Sequence, residues 1–153
     1  FYSVSVTSRL PRTGEVDGRD YRFVSREAFE RMIEDERLAE YAEVAGNLYG
    51  TPREPLEDAL EEGRRAIVDI DVQGAMQIKA AFPEAVRIFI EPPGMDELER
   101  RLRGRATDSE ETITRRLELA RREMEYLPRY DFSVINDDLD RAVQEVTGII
   151  LDS

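Results

Sequence analysis

Apolar and polar side chains alternate at the start of the chain: Tyr2, Val4 and Val6 interleave with Ser3, Ser5 and Thr7, the two-residue period of a β-strand. A loop with Arg9, Pro11, Arg12 and Gly14 follows, then a polar turn over 15–19 and a second short strand over 21–24. Ser25 is placed to cap a helix whose Phe29, Met32 and Ile33 form one apolar stripe. Residues 38–45 read as a strand, Gly46-Asn47 as a two-residue hairpin turn, and 48–51 as the returning strand. The front third is therefore expected to be a small antiparallel unit.

Thr51-Pro52-Arg53-Glu54 has the form of a capping box with proline at the first helical position, opening a helix through Leu56, Ala59 and Leu60 that stops at Gly63. From there the pattern changes. An apolar run over 66–70 ends at Asp71, and helical spacing covers 73–82. A strand over 86–90 is broken by Pro92-Pro93, a charged helix covers 95–103, and Thr107 or Asp108 caps a longer helix reaching Leu127. A last strand over 132–135 precedes a helix capped by Asp138, with Leu139, Ala142, Val143, Val146, Ile149 and Ile150 on one face. Short apolar strands alternating with helices predict a parallel sheet covered by helices, with ligands beyond the carboxyl ends of the strands. Asp69, Asp71 and Asn136 fall at such ends.

Composition narrows the chemistry. The 153 residues suit one globular domain, and no apolar run approaches the ~20 residues of a membrane helix. The chain contains no His and no Cys, which excludes imidazole bases, thiol chemistry and the common zinc sites. A net charge of −12 argues against nucleic acid or an acidic membrane as partner. Lys79 is the single lysine among 22 basic residues, so the positive charge sits almost wholly on guanidinium forks suited to carboxylate or phosphate.

Four constellations stand out, each with a plainer reading beside it. A turn at Gly46-Asn47 pairs Ala42 with Thr51 and puts Glu40, Tyr49 and Thr51 on one face. Glu40 and Thr51 would then lie diagonally, about 7–8 Å apart, and grip opposite edges of a purine; otherwise Glu40 is solvated and Thr51 only caps its helix. Arg9, Arg12, Tyr21 and Tyr49 offer two forks and two phenols for one phosphate, or two arginines in a surface loop. Asp69 and Asp71 face a cation or good donors, or cap the next helix. Arg101 and Arg105, with Arg115 or Arg116, surround an anion or pair with nearby glutamates. No G-x-x-x-x-G-K-[ST] phosphate loop occurs in these residues.

Together the segments YSVSVTSRLPRTGEVDGRDYRF (2–23), EYAEVAGNLYGT (40–51), VDIDVQGA (68–75), RRLRGRATD (100–108) and VINDDLD (134–140) closely resemble guanylate kinase, over almost the whole chain and in family order. The resemblance implies an α/β fold: a parallel-sheet P-loop kinase-like core covered by helices (1–6, 63–100 and 117–153), a small antiparallel GMP-binding subdomain (7–62) and an arginine-bearing lid (101–116), all within one domain. It implies transfer of the terminal phosphoryl group of ATP to GMP, with Mg2+ accompanying ATP; the acidic, cysteine-free composition fits the cytoplasm. GMP phosphate ligands would be Arg9, Arg12, Tyr21 and Tyr49, and the guanine side Ser5, Glu40, Thr51 and Asp71. Asp69 matches the acidic strand end near metal and phosphates, with no direct metal ligand. Arg101, Arg105 and Arg116 match catalytic, ATP-binding lid arginines, and Asn136 a residue near adenine.

Two substitutions depart from the family pattern: Ala106 replaces a glycine usual in the lid, and Leu48 an aromatic. The family opens with a strand and a lysine-bearing phosphate loop, about 25–30 residues that would precede Phe1. The sequence is accordingly expected to be part of a longer enzyme. The alternative is a non-catalytic guanylate-kinase-like module that captures a phosphorylated ligand. Another nucleoside monophosphate kinase is a third reading. Glu40 and Thr51, which suit a base, favour the guanylate kinase.

Overall fold

The computed structural model describes residues 1–104 and 109–153. It divides at Ala85/Val86 into two compact units.

The first unit, Phe1–Ala85, is built on a four-stranded sheet in the order β2-β1-β4-β3. Its strands are β1 (Val6–Thr7), β2 (Arg22–Phe23), β3 (Leu38–Val44) and β4 (Asn47–Pro52). Strands β3 and β4 form an antiparallel hairpin and β4 pairs antiparallel with β1, whereas β1 and β2 run parallel. The front unit is thus mixed rather than purely antiparallel. Helix α1 (Arg26–Glu34) begins where expected: the Ser25 hydroxyl accepts from Ala28 N–H, satisfying one of the helix's unpaired donors. Its Phe29 is completely buried with Val6, Leu38 and Leu48, and Val24, Met32 and Ile33 close the cluster.

The hairpin turn falls one residue earlier than predicted. Ala45 and Gly46, at φ 50° and 80°, form the loop, and Val44 pairs with Asn47. Both central residues lie in the left-handed region, the signature of a tight turn that matches strand twist. Moving the turn by one residue moves the pairing by two, so the predicted face survives. The diagonal placement does not: Glu40 lies directly opposite Thr51, with a register irregularity between Leu38 and Glu40.

The expected capping box is absent. Thr51 belongs to β4, and helix α2 (Arg53–Glu61) begins after Pro52 without a side-chain cap. A long-range partner has claimed the hydroxyl, as described below. Nor does the run over 66–70 form a ladder; it makes one parallel bridge, Tyr2 to Ile67. Ala66, Val68 and Ile70 nevertheless pack with Ala39, Leu56 and Ile78, leaving Ile67 and Asp69 exposed. Helix α3 (Val72–Ala81) follows, with Asp71 as N-cap.

In the second unit, Val86–Ser153, strands β5 (Ile88–Glu91) and β6 (Phe132–Ile135) pair in parallel. Helices α4 (Met95–Gly104) and α5 (Glu110–Met124) pack through Leu102, Ile113 and Leu117. Ser109 caps α5, its hydroxyl accepting from Thr112 N–H; the expected caps Thr107 and Asp108 lie outside the described residues, as does Arg105. Asp138 caps α6 (Leu139–Asp152) as predicted, and on that helix's apolar face only Ala142 is buried. Among the described residues no helix is long and apolar enough to cross a membrane.

Truncating Phe29 to Ala removes the centre of the α1 cluster. It should cost about 3–5 kcal/mol in urea-induced unfolding, whereas Ser25→Ala should cost only about 1 kcal/mol.

Candidate functional site

Six predicted residues of the first unit, Ser5, Tyr21, Glu40, Tyr49, Asp69 and Asp71, line one cavity of about 350 Å³. Strand alternation produces this. Leu48 points into the α1 cluster, while Tyr49 on β4 and Glu40 and Ala42 on β3 face the cavity. Gly50 also lines it, tightly packed: a Cβ there would sit 3.0 Å from the Glu40 backbone oxygen and 3.1 Å from the Phe29 ring, so a neighbour would have to give by a few tenths of an ångström.

At the cavity wall, the Thr51 hydroxyl donates to Glu40 Oε1 at 2.7 Å. Thr51 is fully buried and Glu40 only 4% exposed, so a carboxylate is held almost out of water. Burial pushes the Glu40 carboxyl above its ordinary value, with the Thr51 hydrogen bond opposing and the nearby Asp71 charge reinforcing the shift. Asp71 is itself half-buried: Oδ1 accepts from Gly74 N–H at 2.8 Å and Oδ2 from Gln73 Nε2 at 3.0 Å. It both caps α3 and borders the cavity.

Arg9 approaches from the β1–β2 loop, its guanidinium carbon 5.4 Å from the Tyr21 ring centre. The rings of Tyr21 and Tyr49 meet edge-on at 6.0 Å. Burial raises the Tyr21 phenol, with Tyr49 and Asp69 adding to the shift, so it remains a proton donor. Sequence reasoning missed the partner of Arg9. Glu15 takes its fork in two hydrogen bonds, of 3.0 and 2.8 Å, and also accepts from Arg12 N–H at 2.7 Å. These bonds, Arg9 first, hold the Glu15 carboxyl down at about 2. Gly14, at φ 89°, turns the chain so that Glu15 N–H returns to Arg12 O at 3.1 Å. An acid directly after a glycine in an arginine loop was the available signal. The Arg12 residue itself is exposed.

In the second unit, Arg101 donates to Glu97 at 2.8 Å, and Glu97 also binds Arg100. Arg103 bridges Glu99 and Glu110, and Arg115 pairs with Glu111. Arg116 is half-buried on α5 and has a partner. Asn136 follows β6, its N–H bound to Glu91 O at 2.8 Å.

Comparison with known proteins gives this arrangement a family. The guanylate kinase family model matches residues 1–153. The chain belongs to the guanylate kinase family. It is 50% identical to the guanylate kinase of Desulfitobacterium hafniense over 150 residues, covering 98% of this chain and 75% of that protein. It is 51% identical to that of Trichodesmium erythraeum over 149 residues, 97% of this chain and 80% of the relative. Among solved structures, guanylate kinase from Anaplasma phagocytophilum aligns with a TM-score of 0.87 and 38% identity, over 99% of this chain and 74% of that one. The α/β class expected from the sequence agrees with that likeness.

The raised Glu40 carboxyl gives this cavity a pH signature. An acid whose folded pKa exceeds its unfolded value costs nothing below about pH 4.5, and its penalty grows as pH rises through the folded value. Glu40→Gln, keeping the Thr51 hydrogen bond, should therefore unfold at a higher temperature than the parent near pH 8. Melting curves across pH should show the gap closing towards pH 4.

Proposed function

We propose that this chain forms the GMP site of an enzyme that moves the terminal phosphoryl group of ATP to GMP, giving ADP and GDP in purine nucleotide metabolism. The observation that carries this reading is a desolvated carboxylate, Glu40, set by Thr51 in the wall of a cavity shared with two phenols. Guanine offers N1–H and the 2-amino group side by side, two donors for one carboxylate, where adenine offers an acceptor at N1 and only a hydrogen at C2. Buried polar complementarity of this kind rejects the wrong base because its groups stay unpaired. Ser5 and Asp71, which line the same cavity, would complete the guanine side. Thr51 has one hydroxyl proton and gives it to Glu40, so we assign it to the guanine side as the group that orients the carboxylate.

The phosphate of GMP would be taken by Arg9, Arg12, Tyr21 and Tyr49, with the phosphate displacing Glu15 from the Arg9 fork. A dianionic monoester outcompetes a single carboxylate there on charge. Phosphoryl transfer through a loose transition state needs alignment and positive charge more than a general base, which fits a chain without His. Arg101, Arg105 and Arg116 would bind ATP and meet the charge on the moving oxygens; Asn136 would lie near adenine.

Among the described residues no group of three carboxylates or similar ligands could cage a metal. Mg2+ would arrive on the ATP phosphates, with exposed Asp69 at the cavity edge placed to hold it through water. The ion would neutralise charge on the transferred group. We place the enzyme in the cytoplasm, on its acidic, cysteine-free composition.

Calorimetric titration with GMP, AMP and UMP, alongside a coupled ADP-release assay, tests the reading. GMP alone should bind tightly, and Glu40→Gln should erase roughly 10- to 100-fold of its preference over AMP. Equal binding of the three nucleotides would refute it. Arg101→Ala should lower turnover at least about 100-fold while leaving GMP affinity within about threefold; equal losses in both would remove Arg101 from the transfer step.

A further inference from the structure

The glycine at position 74 is not explained by its backbone. Gly14, Gly18, Gly46 and Gly63 hold positive φ angles that disfavour other residues, but Gly74 lies in ordinary helical conformation at the third position of α3. There a glycine weakens the helix by about 1 kcal/mol relative to alanine. Space is what excludes a side chain. A Cβ on Gly74 would lie 3.0 Å from Glu40 Cδ, inside contact distance of Glu40 Oε2, and 3.2 Å from Ile70 Cβ.

The Glu40 carboxylate is thus bounded on both oxygens. Thr51 holds Oε1 by its hydrogen bond, and the bare face of Gly74 leaves the space in which Oε2 sits. The same residue donates its N–H to Asp71 Oδ1, tying the cap of α3 to the floor of this contact.

We infer that Gly74 is a specificity-positioning residue, its missing side chain setting where Glu40 presents its carboxylate to the guanine amine and N1–H. The inference rests on the GMP reading above. A methyl group there falls first on the Glu40 carboxyl, the far end of a side chain, and asks Ile70 Cβ to give by only a few tenths of an ångström, so the displacement is concentrated at the carboxylate. The fold should tolerate Gly74→Ala, and base recognition should not.

The test is Gly74→Ala titrated with GMP and with IMP, which lacks the exocyclic amine, together with thermal unfolding. GMP affinity should fall roughly 10- to 100-fold and the GMP-to-IMP ratio should collapse towards one. The unfolding temperature should not drop, since helix propensity improves. In a Glu40→Gln background the added Gly74→Ala should change GMP affinity by less than about threefold, because the two act on one contact. A parent chain that binds no GMP would sink the nucleotide reading and this inference with it. A parent that binds GMP beside a Gly74→Ala variant that unfolds, keeps its GMP affinity, or loses GMP and IMP in parallel would overturn the role of Gly74 alone.

Discussion

A carboxylate buried on a β-ribbon is the constraint to which the first unit is fitted. Left alone, Glu40 in an almost dry position would protonate or drag the hairpin open. The Thr51 hydroxyl offsets part of that cost, and it can do so only in the register that sets the two residues opposite one another. The register in turn needs Ala45 in a left-handed conformation, at roughly 1–2 kcal/mol. Long-range pairing has overruled the local preference of the turn. On the far side of the sheet, Phe29, Val6, Leu38 and Leu48 supply the apolar burial that keeps the ribbon from shifting.

Charge is organised locally against the background of the whole chain. A molecule with twelve excess negative charges repels anions at long range, although salt screens that field within about 10 Å. Recognition of an anion must then come from donors already in place. Arg9, backed by Tyr21 and Phe23 and oriented by Glu15, is in place.

Much of this was legible in the sequence because it is periodic. The α1 stripe, the caps Ser25 and Asp138, and strand β6 follow from local patterns and appear at the expected residues. The face shared by Glu40, Tyr49 and Thr51 survived a misplaced turn, since a shift of two pairing positions preserves side-chain parity. What could not be read was competition over distance. Thr51 resembles a helix cap until Glu40, eleven residues away, accepts the hydrogen bond of its hydroxyl. The run over 66–70 has the composition of a strand, but composition does not supply ladder neighbours, and only the bridge from Tyr2 to Ile67 forms. In the sequence Glu15 is one acid among 34, its role visible only once Gly14 bends the loop.

The Arg9–Glu15 pair has one more implication. Because the Arg9 guanidinium is matched inside its own loop, its charge is balanced without borrowing a counter-ion from solvent, and the shape of the loop is set before any visitor arrives. On the proposed assignment, capture of a phosphate there would be a swap of anions. Its driving force would be the margin between a doubly and a singly ionised oxyanion, favouring free monoesters over diesters carrying a single charge.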